Sequence, residues 1–192
     1  MEKINEIETQ ISNLVEARNV LLERLKSVSS YDRKLIVEKI EKITVQIFYL
    51  EEELLFIKGP IYNNDFVDIY LDENNSNEDE KNYNISPHNI KKIIGHVRLT
   101  FNNATSYLGN IGYSLDKEYQ GNGYMIQSLE LLKSPLIERN IINPILTTFP
   151  DNLASIKTIE RFGGKLIEEA NNSHYYNIYQ ADLSNTTETK KR

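Results

Sequence analysis

The chain contains no cysteine, which excludes disulfides, thiolate metal sites and an acyl-enzyme formed on a cysteine. It has three histidines, His88, His96 and His174, and none stands at metal-ligand spacing from another. They read as surface or structural residues, and no metal site is expected. Positive charge is in deficit, with 22 Lys and Arg against 28 Asp and Glu and a net charge of −6. Nucleic acid demands a basic surface and is therefore not an expected partner. Lys190-Lys191-Arg192 reads as a solvated tail. An acidic protein suits a cationic partner such as an amine, although net charge says little about a particular site. The first residues alternate charge with isoleucine and form no continuous apolar run, so neither a signal peptide nor a membrane span is expected. A cytoplasmic protein is the simplest expectation. There is no internal repeat.

What is present suffices for one domain with a small appendage, since 40% of the 192 residues are hydrophobic. Residues 1–58 are a distinct block. Ile4, Ile7, Ile11, Leu14, Leu21 and Leu25 keep three-four spacing, with Arg18 filling one apolar slot. The pattern resumes as a heptad at Ile36, Ile40, Ile43, Ile47, Leu50, Leu54 and Ile57. Ser30 or Asp32 can cap the second helix, and Gly59-Pro60 stops it. A short connection makes the two helices an antiparallel, coiled-coil-like hairpin. Its apolar stripe must be covered by the partner helix, the body of the domain or another subunit, so a homodimer through the hairpin is one expectation.

Beyond Gly59 the pattern turns to strands. Asp65 to Leu71, Lys92 to Thr100 and Tyr107 to Leu115 predict a three-stranded antiparallel meander. Asp72 to Asn84, rich in Asn, Asp and Glu, reads as a mobile loop. A helix follows from Met125 to Arg139, kinked or shortened by Pro135. Then come a strand at Ile145 to Phe149, a helix at Leu153 to Phe162 ended by Gly163-Gly164, and strands at Lys165 to Glu169 and Tyr175 to Leu183. Alternating strands and helices in this half predict parallel neighbours inside a mixed sheet.

The stretch most informative about function is Tyr119-Gln120-Gly121-Asn122-Gly123-Tyr124-Met125, between a strand and a helix. Glycines permit positive φ and let backbone amides approach a ligand. The helix start adds unpaired N–H groups and the positive end of its dipole, which together cradle an anion such as phosphate. Some thirty residues later come Asn152-Leu153-Ala154-Ser155 and then Ile159-Glu160-Arg161-Phe162-Gly163-Gly164.

On these two motifs the chain resembles the GNAT superfamily of acyl-CoA-dependent N-acyltransferases over about residues 60–183. The family pattern is (Arg/Gln)-x-x-Gly-x-(Gly/Ala), a strand, then a helix carrying Asn-x-x-(Ala/Ser) and closing at glycine. Gln120, Gly123 and Met125 match the first motif, with Met125 larger than the usual small residue and expected to crowd the phosphates slightly. Asn152, Ser155 and Gly163 match the second. No strand precedes the first helix, where the family usually begins with one. The hairpin is thus either an enlarged form of the family's first two helices or an added interaction module.

The resemblance implies an α/β (α+β) fold with a mixed, mostly antiparallel central sheet flanked by helices, preceded by the N-terminal hairpin. Residues 59–183 would be the N-acetyltransferase domain and 184–192 a polar tail. It also implies direct transfer of an acetyl group from acetyl-CoA to an amine. Gln120, Gly121, Asn122, Gly123, Tyr124 and Met125 would hold the pyrophosphate. Tyr113, Ser114 and Leu115 would pair through their main chain with the pantetheine arm, where side chains matter little. Asn152 and Ser155 would face the pantetheine and thioester, with Asn152 also free to cap its helix. Many relatives use a tyrosine seven residues after the motif asparagine; here that residue is Ile159. Ser155 is then the first candidate acid, with Tyr175 or Tyr176 behind it. The Tyr107 to Leu115 strand carries no glutamate to serve as base, and Glu160 reads as a surface residue. The acceptor is expected near the meander, the acidic loop and His174-Tyr175-Tyr176. Two other readings stay open: a non-catalytic acyl-CoA-binding domain, and a chain whose hairpin is the functional part.

Overall fold

The computed structural model describes residues 1–102, 109–169 and 176–184, apart from the side chain of Tyr31. Tyr107, His174, Tyr175 and the basic Lys190–Arg192 end therefore lie outside the described residues. The chain divides into two compact units at the Gly59–Pro60 junction.

The first unit is the helical hairpin. Helix α1 spans Glu2–Leu25 and α2 spans Ser30–Lys58, so a four-residue connection reverses the chain. Ile7, Ile36 and Ile47 are its buried apolar contacts. Ion pairs Lys3–Glu53 (2.8 Å) and Lys58–Glu8 (3.2 Å) join the start of one helix to the end of the other, as antiparallel pairing requires. The N-cap of α2 is Ser29, not Ser30 or Asp32 as its sequence suggested. Ser29 hydroxyl donates to Asp32 Oδ2 (3.0 Å), so the two residues satisfy each other instead of the helix amides. Gly59, at φ +83, ends α2 as expected.

The second unit is built on an eight-stranded mixed sheet. Its strands are β1 (Tyr62–Asn63), β2 (Val67–Leu71), β3 (Glu80–Pro87), β4 (Gly95–Thr100), β5 (Ile111–Leu115), β6 (Ile145–Thr148), β7 (Lys165–Glu168) and β8 (Asn177–Gln180). They lie in the order β1-β2-β3-β4-β5-β6-β8-β7. Every adjacent pair is antiparallel except β5 and β6.

Two expectations need correction. The segment read as a loop from Asp72 to Asn84 turns into strand β3 at Glu80, which inserts between β2 and β4. Tyr83 and Ile85 point into the core while Asn82 and Asn84 are half-buried, a two-residue alternation hidden by turn-forming asparagines. The second correction concerns the C-terminal half: only β5 and β6 are parallel neighbours. Strand β8 returns between β6 and β7 and pairs antiparallel with both.

One face of the sheet carries Val67, Ile69, Tyr83, Ile85, Val97, Leu99 and Ile111 into a single apolar cluster. Helices α3 (Tyr124–Leu131), α4 (Lys133–Glu138) and α5 (Leu153–Arg161) complete it through Met125, Leu129, Leu132, Leu136 and Ile159. Each of these large side chains contributes about 1.5–3 kcal/mol by leaving water. Pro135 does shorten the helix: α3 stops at Leu131, and Pro135 stands in the first turn of α4, where its missing N–H has no intrahelical acceptor. Helix α5 closes with Gly163 N–H to Glu160 O (3.0 Å) and Gly164 N–H to Ile159 O (2.8 Å), with Gly163 at φ +96. That sharp stop returns the chain to the sheet as β7.

Candidate functional site

The glycine loop occupies the connection between β5 and α3. After Leu115 the chain makes a short 3-10 turn at Lys117–Tyr119, runs extended at Gln120, and then uses φ +78 at Gly121 and φ +86 at Gly123. Side chains stitch this path together. Gln120 Nε2 donates to Leu115 O (2.9 Å), and Asn122 Nδ2 donates to the carbonyls of Tyr119 (3.3 Å) and Gln120 (3.2 Å). Gly123 is the N-cap of α3, and the first helical bond runs from Gln127 N–H to Gly123 O (3.1 Å). The N–H groups of Tyr124, Met125 and Ile126 therefore precede that ladder and stand at the positive end of the helix. Among the described residues no side chain caps this start. A Cβ at Gly121 would meet nothing within 4 Å, so the space over the loop is open. Met125 is buried in the core, and its side chain does not crowd the loop.

Strand β5 leads from this loop into a split in the sheet. Asn110 pins the closed end: its N–H donates to Ile145 O (2.7 Å), its Oδ1 accepts from Ile145 N–H (2.9 Å), and its Nδ2 donates to Thr100 O (3.0 Å). One registered pair, Ile111 with Leu146, follows before β5 and β6 part. The even-numbered residues of β5 bond to β4, as the Asp116 N–H to Ile94 O bond (2.8 Å) and the register require. Tyr113 and Leu115 thus turn their main-chain groups toward the gap, while Ser114 is exposed and bonds with β4.

Across the gap stands the first turn of α5. Asn152 is its N-cap, and Asn152 Oδ1 accepts from Ser155 N–H (3.1 Å). Ser155 Oγ lies 2.8 Å from the Tyr113 hydroxyl, which also donates to Ser155 O (3.2 Å). Burial pushes the Tyr113 phenol above its ordinary value, against the opposing effect of hydrogen bonds with Ser155 and Thr158. The β5 side chains are therefore not all incidental, because Tyr113 reaches across the split to the helix carrying Ser155. Forty-two residues separate this pair, and nothing local in the sequence signals it.

The remaining candidates are dispersed. Tyr176 stacks on Phe149 with ring centroids 4.6 Å apart. Ile159, at the position where many relatives have tyrosine, is fully buried in the core. Glu160 is exposed. Around the loop, Phe66 lies against Tyr124 (4.9 Å), Tyr124 meets Tyr119 edge-on (6.1 Å), and Lys92 Nζ bonds Tyr119 Oη (2.8 Å) and Glu118 (3.0 Å). Hydrogen bonds to Tyr119 and then Glu118 hold the Lys92 ammonium above its ordinary value. His88 has a structural partner, with Nδ1 2.9 Å from Oδ1 of the buried Asp68. Among the described residues no group of three His, Cys, Asp or Glu is placed to hold a metal, and no helix is long and apolar enough to cross a membrane.

A strand that parts from its parallel neighbour thus leads through a glycine turn into a helix whose start no described side chain caps. The acetyltransferase (GNAT) domain model matches residues 33–165, and the chain belongs to this family. The match takes in most of α2 and strands β1 to β6, and it ends at Lys165, the first residue of β7. The chain is similar to the ribosomal-protein-S5-alanine acetyltransferase of Vibrio fischeri, at 23% identity over 57% of this chain and 65% of that one, with a TM-score of 0.47. It is also similar to RimL, a ribosomal L7/L12 alpha-N-protein acetyltransferase, at 29% identity over 55% of this chain and 70% of that one (TM-score 0.43). Mycobacterium smegmatis RimJ in complex with CoA-disulfide matches at 11% identity over 57% and 56%, with a TM-score of 0.45. The chain thus spans just under two thirds of the Vibrio fischeri protein. No curated protein matches it.

Proposed function

We propose that this protein transfers an acetyl group from acetyl-CoA directly to a primary amine of a small molecule or peptide. The observation that carries the reading is the continuity of one strand with two binding features. β5 turns the main chain of Tyr113 and Leu115 toward the split after the Ile111–Leu146 pair, with Leu115 O already accepting from Gln120 Nε2, and its end leads through the Gly121–Gly123 turn to the start of α3. A pyrophosphate suits the amides of residues 120–125, and an extended amide-bearing arm suits the edge of the segment Tyr113 to Leu115, where Tyr113 and Leu115 face the split and Ser114 bonds with β4. Asn152 and Ser155 border the same split from α5.

In direct transfer the neutral amine nitrogen attacks the thioester carbonyl. A C–N bond forms, the C–S bond breaks, the amine loses a proton to water, and the departing sulfur takes one. Ser155 is the first candidate donor of that proton, and Tyr176 the second. Calorimetric titration with acetyl-CoA, followed by free-thiol release against a panel of amines, tests the reading. Binding plus thiol release with one amine class is the expected result. Binding without turnover by any amine would favour a non-catalytic acyl-CoA-binding domain, a reading supported by the burial of Ile159 where many relatives carry tyrosine.

A second role falls to the hairpin of residues 1–58 as a surface for a partner or a second copy. Phe48 and Tyr49 are 60% and 64% exposed on α2, and among the described residues buried Arg18 Nε has no hydrogen-bond partner. Light scattering across a concentration series tests the homodimer form; the mass of a single chain throughout would remove it.

A further inference from the structure

We propose that Tyr113 is a positioning residue for the acetyl-transfer step, holding Ser155 and resupplying the proton that Ser155 gives to the departing sulfur. The inference rests on the acetyltransferase reading above and adds to it a residue from a different strand.

A serine in the first turn of a helix has a freely rotating hydroxyl that readily bonds back to its own backbone. Ser155 is restrained on two sides instead. Its N–H is bound by Asn152 Oδ1 (3.1 Å), and its Oγ by the Tyr113 hydroxyl (2.8 Å). The phenol has one proton and a choice of acceptors, Ser155 O at 3.2 Å and Ser155 Oγ. Thr158 also bonds the phenol, and because its own hydroxyl proton goes to Ala154 O (2.9 Å), it can do so only as a third acceptor competing for the phenol proton. When Tyr113 donates to Ser155 Oγ, the serine proton is left free for another acceptor.

The main chain of Tyr113 faces that same split, so one residue lines the ligand groove and braces the helix across it. As the C–S bond breaks, the sulfur takes the Ser155 proton, Ser155 Oγ takes the Tyr113 proton, and the tyrosinate recovers a proton from water. No other reactant is needed. Burial holds the Tyr113 phenol above its ordinary value, yet a phenol still gives up its proton more readily than an aliphatic hydroxyl alone, which brings the pair nearer to sulfur than serine by itself.

The test compares Tyr113→Phe, Ser155→Ala and the double variant in thiol release from acetyl-CoA with the best amine. Tyr113→Phe should lower kcat about 10–100-fold while KM for acetyl-CoA and the melting temperature stay near wild type. The double variant should be no slower than Ser155→Ala, because the tyrosine acts only through the serine. A second measurement is independent of turnover: titration of the thiol of bound CoA by ultraviolet absorbance. The sulfur should ionise at lower pH in the wild-type complex than in free CoA, and Tyr113→Phe or Ser155→Ala should move it back toward the free value. Unchanged kcat in Tyr113→Phe, additive losses in the double variant, or identical thiol titration in all forms would overturn the role of Tyr113 and leave acetyl transfer standing. Failure of CoA to bind the wild-type protein would overturn both.

Discussion

Gly123→Glu separates the fold from the proposed anion cradle. Gly123 has φ +86, a conformation in which a side chain costs about 1–2 kcal/mol. Space is not limiting, because a Cβ there would lie 4.0 Å from its nearest neighbour, Phe66 Cε1. The stability loss is thus the backbone cost alone, and at about 2–4 °C per kcal/mol it lowers the melting temperature by about 2–8 °C. Ligand binding is a different matter. A carboxylate placed at the N-cap neutralises the positive end of α3 and stands within about 4–6 Å of a bound pyrophosphate. At an effective dielectric of about 20 this repulsion is about 3–4 kcal/mol, or two to three decades of affinity. Gly123→Ala carries the same backbone cost without the charge and is the control. Calorimetric titration of both variants with acetyl-CoA at constant ionic strength measures the difference. Equal affinities for the glutamate and alanine variants would refute the assignment of this loop to the phosphates.

Gly164→Ala should destabilise through contact, since a Cβ would stand 2.4 Å from Ile159 Cγ2 and 2.9 Å from Ile159 O. Overpacking of this kind costs about 1–3 kcal/mol, and a urea midpoint equal to wild type would contradict the close packing of the α5 terminus. Asn152→Ala removes the acceptor for Ser155 N–H and should cost about 1 kcal/mol by the same measurement. Tyr83 is 3% exposed, and burial holds its phenol protonated well above the ordinary value. Its contribution to stability is therefore complete below about pH 10, where the unfolded chain begins to ionise, and is lost as pH rises beyond that. Tyr83→Phe should flatten the decline in unfolding free energy between about pH 9.5 and 11.5, and an unchanged slope would place the alkaline sensitivity elsewhere.

Much of this architecture is legible locally. The three-four spacing of isoleucines and leucines reads directly as α1 and α2, because one face of a helix must repeat with its own period. Gly121 and Gly123 announce positive φ, and Asn152 announces a helix start. Pro135 marks the break between α3 and α4 for an equally local reason, its missing N–H. Strand β3 shows where local reading fails. Asn82 and Asn84 are turn formers by propensity, yet pairing on both sides with β2 and β4 overrides them. The position of β8 between β6 and β7 is likewise unreadable, since the later strand chooses its neighbours by packing rather than by order in the chain.

The site divides along the same line. By itself the sequence determined the glycine turn, the helix that follows it, the capping asparagine and the serine three residues on, because each depends on bonds within a few residues. Only the tertiary structure decided that Asn110 would hinge the sheet open beside β5, that Met125 would turn into the core, and that Tyr113 would meet Ser155 across forty-two positions of chain. Those contacts follow from strand register and helix docking, where hydrophobic burial over the whole sheet sets distances that no short stretch of residues encodes.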